Sequence, residues 1–170
     1  MRHDQLESGE LEYLPGIEIP PAIMATHDHE QALKGADFMV LAVPSQTLRA
    51  NLTEWAPAVD SKTVFVSLMK GVEPGTVKRM SEVIAEVTNA GPERLAVVSG
   101  PNLAKEIARR EPAASVVACA DEDAARELQA ISHTRAFGPT PPPMSSAAKW
   151  AAPIRTWWAF GGNRGWLGFR

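Results

Sequence analysis

Four continuous apolar runs, each halted by turn-forming residues, set the rhythm of the chain. Phe38-Met39-Val40-Leu41-Ala42-Val43 stops at Pro44, and Thr63-Val64-Phe65-Val66-Ser67-Leu68 leads to Lys70-Gly71. Leu95-Ala96-Val97-Val98 closes at Ser99-Gly100-Pro101, and Ala114-Ser115-Val116-Val117-Ala118-Cys119 is the fourth. Short runs bounded in this way predict strands buried on both faces. Helical spacing fills the intervals. Asp28 caps a short helix through Lys34 that ends at Gly35, and Leu48, Leu52 and Trp55 share one face of a helix over 46–55. Thr76 is read as the cap of a helix with Val77, Met80, Val83, Ile84 and Val87 on its apolar face. A short helix is expected from Asn102 to Arg109, and Asp121 caps another over 124–131, with Glu122 and Asp123 where the helix dipole favours acids. Strands alternating with helices predict an α/β fold with a largely parallel sheet covered on both sides.

The pattern is different at the two ends. Pro15, Pro20 and Pro21 around Gly16-Ile17-Glu18-Ile19 predict an extended segment with little room for helix. Beyond Ser132 no period of 2 or 3.6 survives, and Pro139 with Pro141-Pro142-Pro143 argues against regular structure. Composition breaks at the same place: residues 128–170 hold no Asp or Glu but four of the five tryptophans. The chain is therefore read as two parts, residues 1–134 forming an α/β domain and residues 135–170 an irregular tail. A net charge of -3 gives no general attraction to nucleic acid or to an anionic membrane. Cys119 is the only cysteine, so an internal disulfide framework is excluded. No apolar stretch reaches membrane-spanning length and the polar start is no signal peptide, so a cytoplasmic location is the default expectation.

Candidate chemistry gathers at the carboxyl ends of the first three strands, where open parallel sheets bind ligands. Those ends read Val43-Pro44-Ser45, Met69-Lys70-Gly71 and Ser99-Gly100-Pro101. Glycines there allow close backbone approach, and Lys70 offers a compact cation to a phosphate or an oxyanion. On position alone Lys70 also reads as an ordinary solvated loop lysine. The helix start near Asn102 offers free N–H groups to an anion or simply to water. Lys105-Glu106 and Arg109-Arg110-Glu111 read as a charged surface. His3, His27, His29 and His133 lack metal-ligand spacing, and Ser45 and Ser67 have no base nearby to make a nucleophile.

The ordered series Tyr13-Leu14-Pro15-Gly16-Ile17, Ala36-Asp37, Leu41-Ala42-Val43-Pro44-Ser45-Gln46, Lys70-Gly71 and Ser99-Gly100-Pro101 with Ala104-Lys105-Glu106 resembles the bacterial NAD(P)-dependent glycerol-3-phosphate dehydrogenases. The resemblance runs from about Arg2 to Ser132. It implies a Rossmann-type cofactor domain, NAD or NADP as cofactor, and interconversion of dihydroxyacetone phosphate and sn-glycerol 3-phosphate in glycerophospholipid synthesis. By position, Lys70 would meet both cofactor and substrate, Gly100 and Asn102 the substrate, and Ala104 the cofactor.

The family pattern also contains a phosphate-cradling glycine loop ahead of the Tyr13 motif, and a proton-transferring lysine after a segment of the form Thr-Asp-Val-Ile-Gly-Cys-Glu-Met-Gly. Neither stands in this chain. Codons for Pro143-Met144-Ser145-Ser146-Ala147-Ala148-Lys149-Trp150 in a shifted frame permit that segment, so a frameshift near 135–138 is expected, which sequencing of the gene would test. These departures predict an incomplete sheet without its first βα unit, no catalytic residue of its own and an inactive remnant of an oxidoreductase. The alternatives are an active enzyme whose missing parts come from another polypeptide or a mis-called start, and a non-catalytic binding module that associates with an intact paralogue. Unpaired strand edges further predict self-association.

Overall fold

Five strands and five α-helices alternate along the chain in a computed structural model that describes residues 16–17, 20–100, 103–134 and 137–140. They are α1 (His29–Leu33), β1 (Phe38–Leu41), α2 (Leu48–Trp55), β2 (Val64–Ser67), α3 (Met80–Thr88), β3 (Leu95–Ser99), α4 (Ala104–Ala108), β4 (Ala113–Cys119), α5 (Glu122–Ser132) and β5 (Phe137–Thr140). The strands form one sheet in the order β1-β2-β3-β4-β5. The fold is α/β and mostly parallel, as the alternation predicts.

The caps act where the residue chemistry requires them. Asp28 Oδ1 accepts from the Gln31 N–H at 3.1 Å and starts α1. Asp121 Oδ1 accepts from the N–H groups of Asp123 (2.8 Å) and Ala124 (3.3 Å), satisfying two donors that have no partner inside α5. Helix α3 departs from the expectation. It begins at Met80, not beside Thr76, because the Thr76 hydroxyl is engaged by the Glu73 carboxylate. Glu82 at the third helical position accepts from the Arg79 N–H at 2.8 Å and caps the helix in its place. Val77 consequently leaves the apolar face: it has φ +58° and is 72% exposed.

Two apolar layers sandwich the sheet. Leu48 and Leu52 of α2 and Met80, Val83 and Ile84 of α3 pack with Leu33, Met39, Leu41 and Phe65 on one face. Val66, Ala96, Val98 and Val117 meet Leu128 of α5 on the other. Strand β2 contributes to both, as its unbroken apolar run requires: Phe65 faces one layer and Val66 the other. Each fully buried leucine or isoleucine contributes about 1.5–3 kcal/mol. Strand β1 is covered unevenly. Met39 and Leu41 face the first layer and Phe38 packs on the second, whereas Val40 is 54% exposed, because β1 is the terminal strand among the described residues and α5 packs against β4 and β5.

Two further departures concern the end of the sheet. β1, β2 and β3 run parallel, but β4 is antiparallel to β3, pairing Ser99 with Val116 and Ala96 with Cys119. The 13 residues between β3 and β4 include, among those described, one helix of five residues, and the chain turns back at the rim instead of crossing the sheet face. Past residue 134, β5 pairs in parallel with β4 although it contains Pro139. Proline is tolerated there because an edge strand has one side without ladder bonds. Residues 141–170, with the rest of the expected tail and the shifted-frame segment, lie outside the described residues.

Candidate functional site

The parallel arrangement of β1, β2 and β3 brings their carboxyl ends to one rim, and the β3–β4 turn places α4 on that rim as well. The β1 and β2 ends are locked early: the Leu68 N–H donates to the Leu41 carbonyl at 3.0 Å. Beyond β1, Pro44 accepts at its carbonyl from both the N–H and the hydroxyl of Thr47, each at 3.0 Å, which turns the chain into α2. That turn sets Ser45 against the loop after β2. At Gly71 the backbone adopts φ +110°, and a Cβ there would stand 3.3 Å from Ser45 Oγ. The glycine is thus favoured by the positive φ, and the tight approach of the Ser45 hydroxyl adds crowding.

Lys70, one residue earlier, crosses to the next strand. Its ammonium donates a hydrogen bond to Ser99 Oγ at 3.2 Å, joining the tips of β2 and β3. The residue remains exposed, yet partial desolvation of the ammonium lowers its pKa below the ordinary lysine value. Ser99 itself is buried, at 8% exposure, as the last residue of β3. Gly100 follows it and is also buried, and Ala104 is exposed at the first position of α4. Asn102 lies outside the described residues. Helix α4 starts at Ala104 behind Leu103, which has no side-chain oxygen to cap it, and spans only five residues. The expected anion site at a helix start near Asn102 therefore has little helix dipole behind it.

A charged network invisible in the sequence spacing braces the loop that carries Lys70. Arg49 Nε on α2 donates to Glu73 Oε1 at 2.6 Å, and its terminal nitrogen reaches Glu73 Oε2 and Glu86 Oε2, each at 3.0 Å. Lys78 Nζ donates to the same Glu86 oxygen at 2.6 Å. The hydrogen bond from Arg49 is the main cause that holds Glu73 down to about 2. Glu73 also anchors a tight turn, its N–H donating to the Lys78 carbonyl at 2.9 Å beside an antiparallel bridge between Val72 and Arg79. The loop after β2 is therefore held to α2 and α3 from outside while Lys70 and Gly71 face the rim.

Lys105, Arg109, Arg110 and Glu111 are exposed, consistent with a charged surface. Cys119 is half-buried and burial raises its thiol pKa, the opposite of what a reactive thiolate needs. Among the described residues no cluster of His, Cys, Asp and Glu could hold a metal ion, and no helix is long and apolar enough to cross a membrane.

The family pattern described as NAD-dependent glycerol-3-phosphate dehydrogenase N-terminus matches residues 5–125. The chain belongs to that family. It is 63% identical over 128 residues to a glycerol-3-phosphate dehydrogenase [NAD(P)+] of Streptomyces griseus, covering 75% of this chain and 38% of the relative. A Thermobifida fusca relative with the same description is 57% identical over 128 residues, with the same coverage of 75% and 38%. Among solved structures, glycerol-3-phosphate dehydrogenase from Coxiella burnetii superposes with a TM-score of 0.74 at 28% identity, covering 81% of this chain and 42% of that one. The enzyme of Dunaliella salina gives 0.69 at 26% identity, covering 77% and 23%. The chain thus spans under two-fifths of the length of the curated relatives it matches. Family membership makes NAD or NADP the associated cofactor and a Rossmann-type domain the associated fold.

Proposed function

We propose that the rim formed by Ser45, Lys70, Gly71, Ser99 and Gly100 is the face on which a glycerol-3-phosphate dehydrogenase receives its phosphate-bearing substrate and the reactive end of its cofactor. The observation that carries this reading is the ammonium of Lys70 anchored between two strand tips by Ser99 Oγ at 3.2 Å. The residues present fit such ligands. Lys70 supplies a cation, and Gly71 leaves open backbone where a side chain would crowd Ser45. The bound cofactor supplies or accepts a hydride. Within this chain, Lys70 would hold the phosphate or the developing oxyanion, Gly100 and Asn102 would receive dihydroxyacetone phosphate or sn-glycerol 3-phosphate, and Ala104 would border the nicotinamide.

The 170 residues alone are proposed not to turn over. This is supported by a sequence without a G-x-G-x-x-G pyrophosphate cradle and without a residue assigned to proton transfer. Two measurements on the purified chain separate binding from turnover. Titration with NADH and with sn-glycerol 3-phosphate should detect binding that K70A weakens. NADH oxidation with dihydroxyacetone phosphate should stay at background. Binding undiminished in K70A contradicts the rim assignment, and steady oxidation contradicts the inactivity.

A second reading, that of a non-catalytic module docking on an intact paralogue or on itself, is favoured by the terminal position of β1 among the described strands and the 54% exposure of Val40. Co-purification with a full-length dehydrogenase would support it. A monomer in sedimentation, with no such partner retained, would count against it.

A further inference from the structure

We infer that Ser99 is a positioning residue for Lys70: its hydroxyl holds the lysine ammonium at the junction of β2 and β3 without setting a negative charge beside it. This rests on the rim reading above and adds a role for a residue that touches neither ligand in that reading.

The argument begins with the strand. Along β3, Ala96 and Val98 belong to the layer under α5, and Leu95 packs on the layer under α2 and α3. Alternation places Ser99 on the side of Leu95, at the carboxyl end of that face. Its backbone is fixed by pairing with Val116, so only the hydroxyl rotor remains to be set. Ser99 is 8% exposed as a residue, and a buried hydroxyl is costly without a partner, whereas an apolar residue would fill the place at no such cost. That hydroxyl accepts from Lys70, 29 residues earlier in sequence and one strand away in space.

The chemistry of the acceptor matters as much as its location. Lysine is a flexible point charge on a four-carbon stem, and it loses much rotamer freedom when held. A carboxylate at residue 99 would hold it more strongly but would cancel the charge that a phosphate must find. A hydroxyl orients the ammonium and remains neutral. The partial desolvation of Lys70 acts in the same direction, since a less hydrated cation pairs more strongly with an incoming anion. The brace from Arg49 to Glu73 fixes the loop behind Lys70, whereas Ser99 fixes its far end, so backbone and side chain are set separately.

The test uses the whole 170-residue chain and inorganic phosphate as the probe, with K70A, S99A, S99T and S99D. Phosphate affinity is measured by titration. The pH profile of Lys70 acetylation is read from its own peptide by mass spectrometry. Loss of the Ser99 acceptor removes a bond that favours the charged amine, so in S99A the acetylation midpoint should move to lower pH. Phosphate binding should weaken roughly three- to tenfold, the loss of one such hydrogen bond. S99T, which keeps the hydroxyl, should restore both, and S99D should raise the midpoint while abolishing phosphate binding. Phosphate binding unchanged in K70A overturns the rim reading and this role with it. Impaired binding in K70A together with either an unshifted midpoint or unchanged affinity in S99A overturns the role of Ser99 alone.

Discussion

Ser45 lies against the backbone of Gly71, its hydroxyl oxygen 3.3 Å from the point where a Cβ would stand. The contact joins the first two strand tips of the rim, and a side chain at residue 71 meets two obstacles: the φ of +110° strains it, and the Ser45 hydroxyl must shift by a few tenths of an ångström. G71A should destabilise the fold by about 1–3 kcal/mol, the range for a left-handed non-glycine residue with added crowding. Adding S45A removes the crowding oxygen but leaves the backbone strain, so the double variant should recover part of the loss. Thermal unfolding of the two variants checks this. Equal stability of G71A and the wild type would show that the loop adjusts freely.

The Arg49–Glu73 pair makes the loop after β2 sensitive to acid. Its carboxyl is held down to about 2, below the usual value of 4.5, so the ionised form is favoured by folding. Stability from this group is therefore fully present above pH 4.5 and is lost as pH falls through about 2. E73Q should be less stable than the wild type at neutral pH, and the difference should vanish near pH 2. Denaturant titrations at several pH values measure it. A gap that stays constant across that range would contradict the assignment.

Leu48 on α2 is fully buried against the first layer, and truncation there leaves a cavity. L48A should cost about 2–5 kcal/mol. Val40, on the same sheet but exposed, provides the contrast: V40T should change stability by less than about 0.5 kcal/mol. Chemical denaturation of both distinguishes a core set by α2 from one that includes both faces of β1.

Much of this was legible from residue pattern because the signals were local. Strands β1 and β2 lie within their apolar runs, β3 and β4 extend one residue beyond theirs, and Asp28 and Asp121 cap where short acidic side chains precede a helical period. Three features were not legible, because contacts that the residue pattern does not display decide them. The direction of β4 depends on whether its connection turns at the rim or crosses the face, which 13 residues leave open. Thr76 looks like a cap until Glu73 takes its hydroxyl. Strand β5 accommodates Pro139 only because it pairs on one side. At the site, Lys70 stood out as a cation at a strand end, but its partner Ser99 read only as a strand terminator. The Arg49 brace, spanning 24 residues to Glu73 and 37 to Glu86, follows no local spacing at all.

The carboxyl rim as an anion-facing site is tested most directly by backbone amide NMR of the 170-residue chain titrated with sn-glycerol 3-phosphate. Saturable shifts should concentrate at Lys70, Gly71, Ser99 and Gly100 and largely disappear in K70A. Shifts centred instead on the opposite end of the sheet, around Asp60–Lys62 and Pro92–Arg94, or the same rim shifts in K70A, would contradict it.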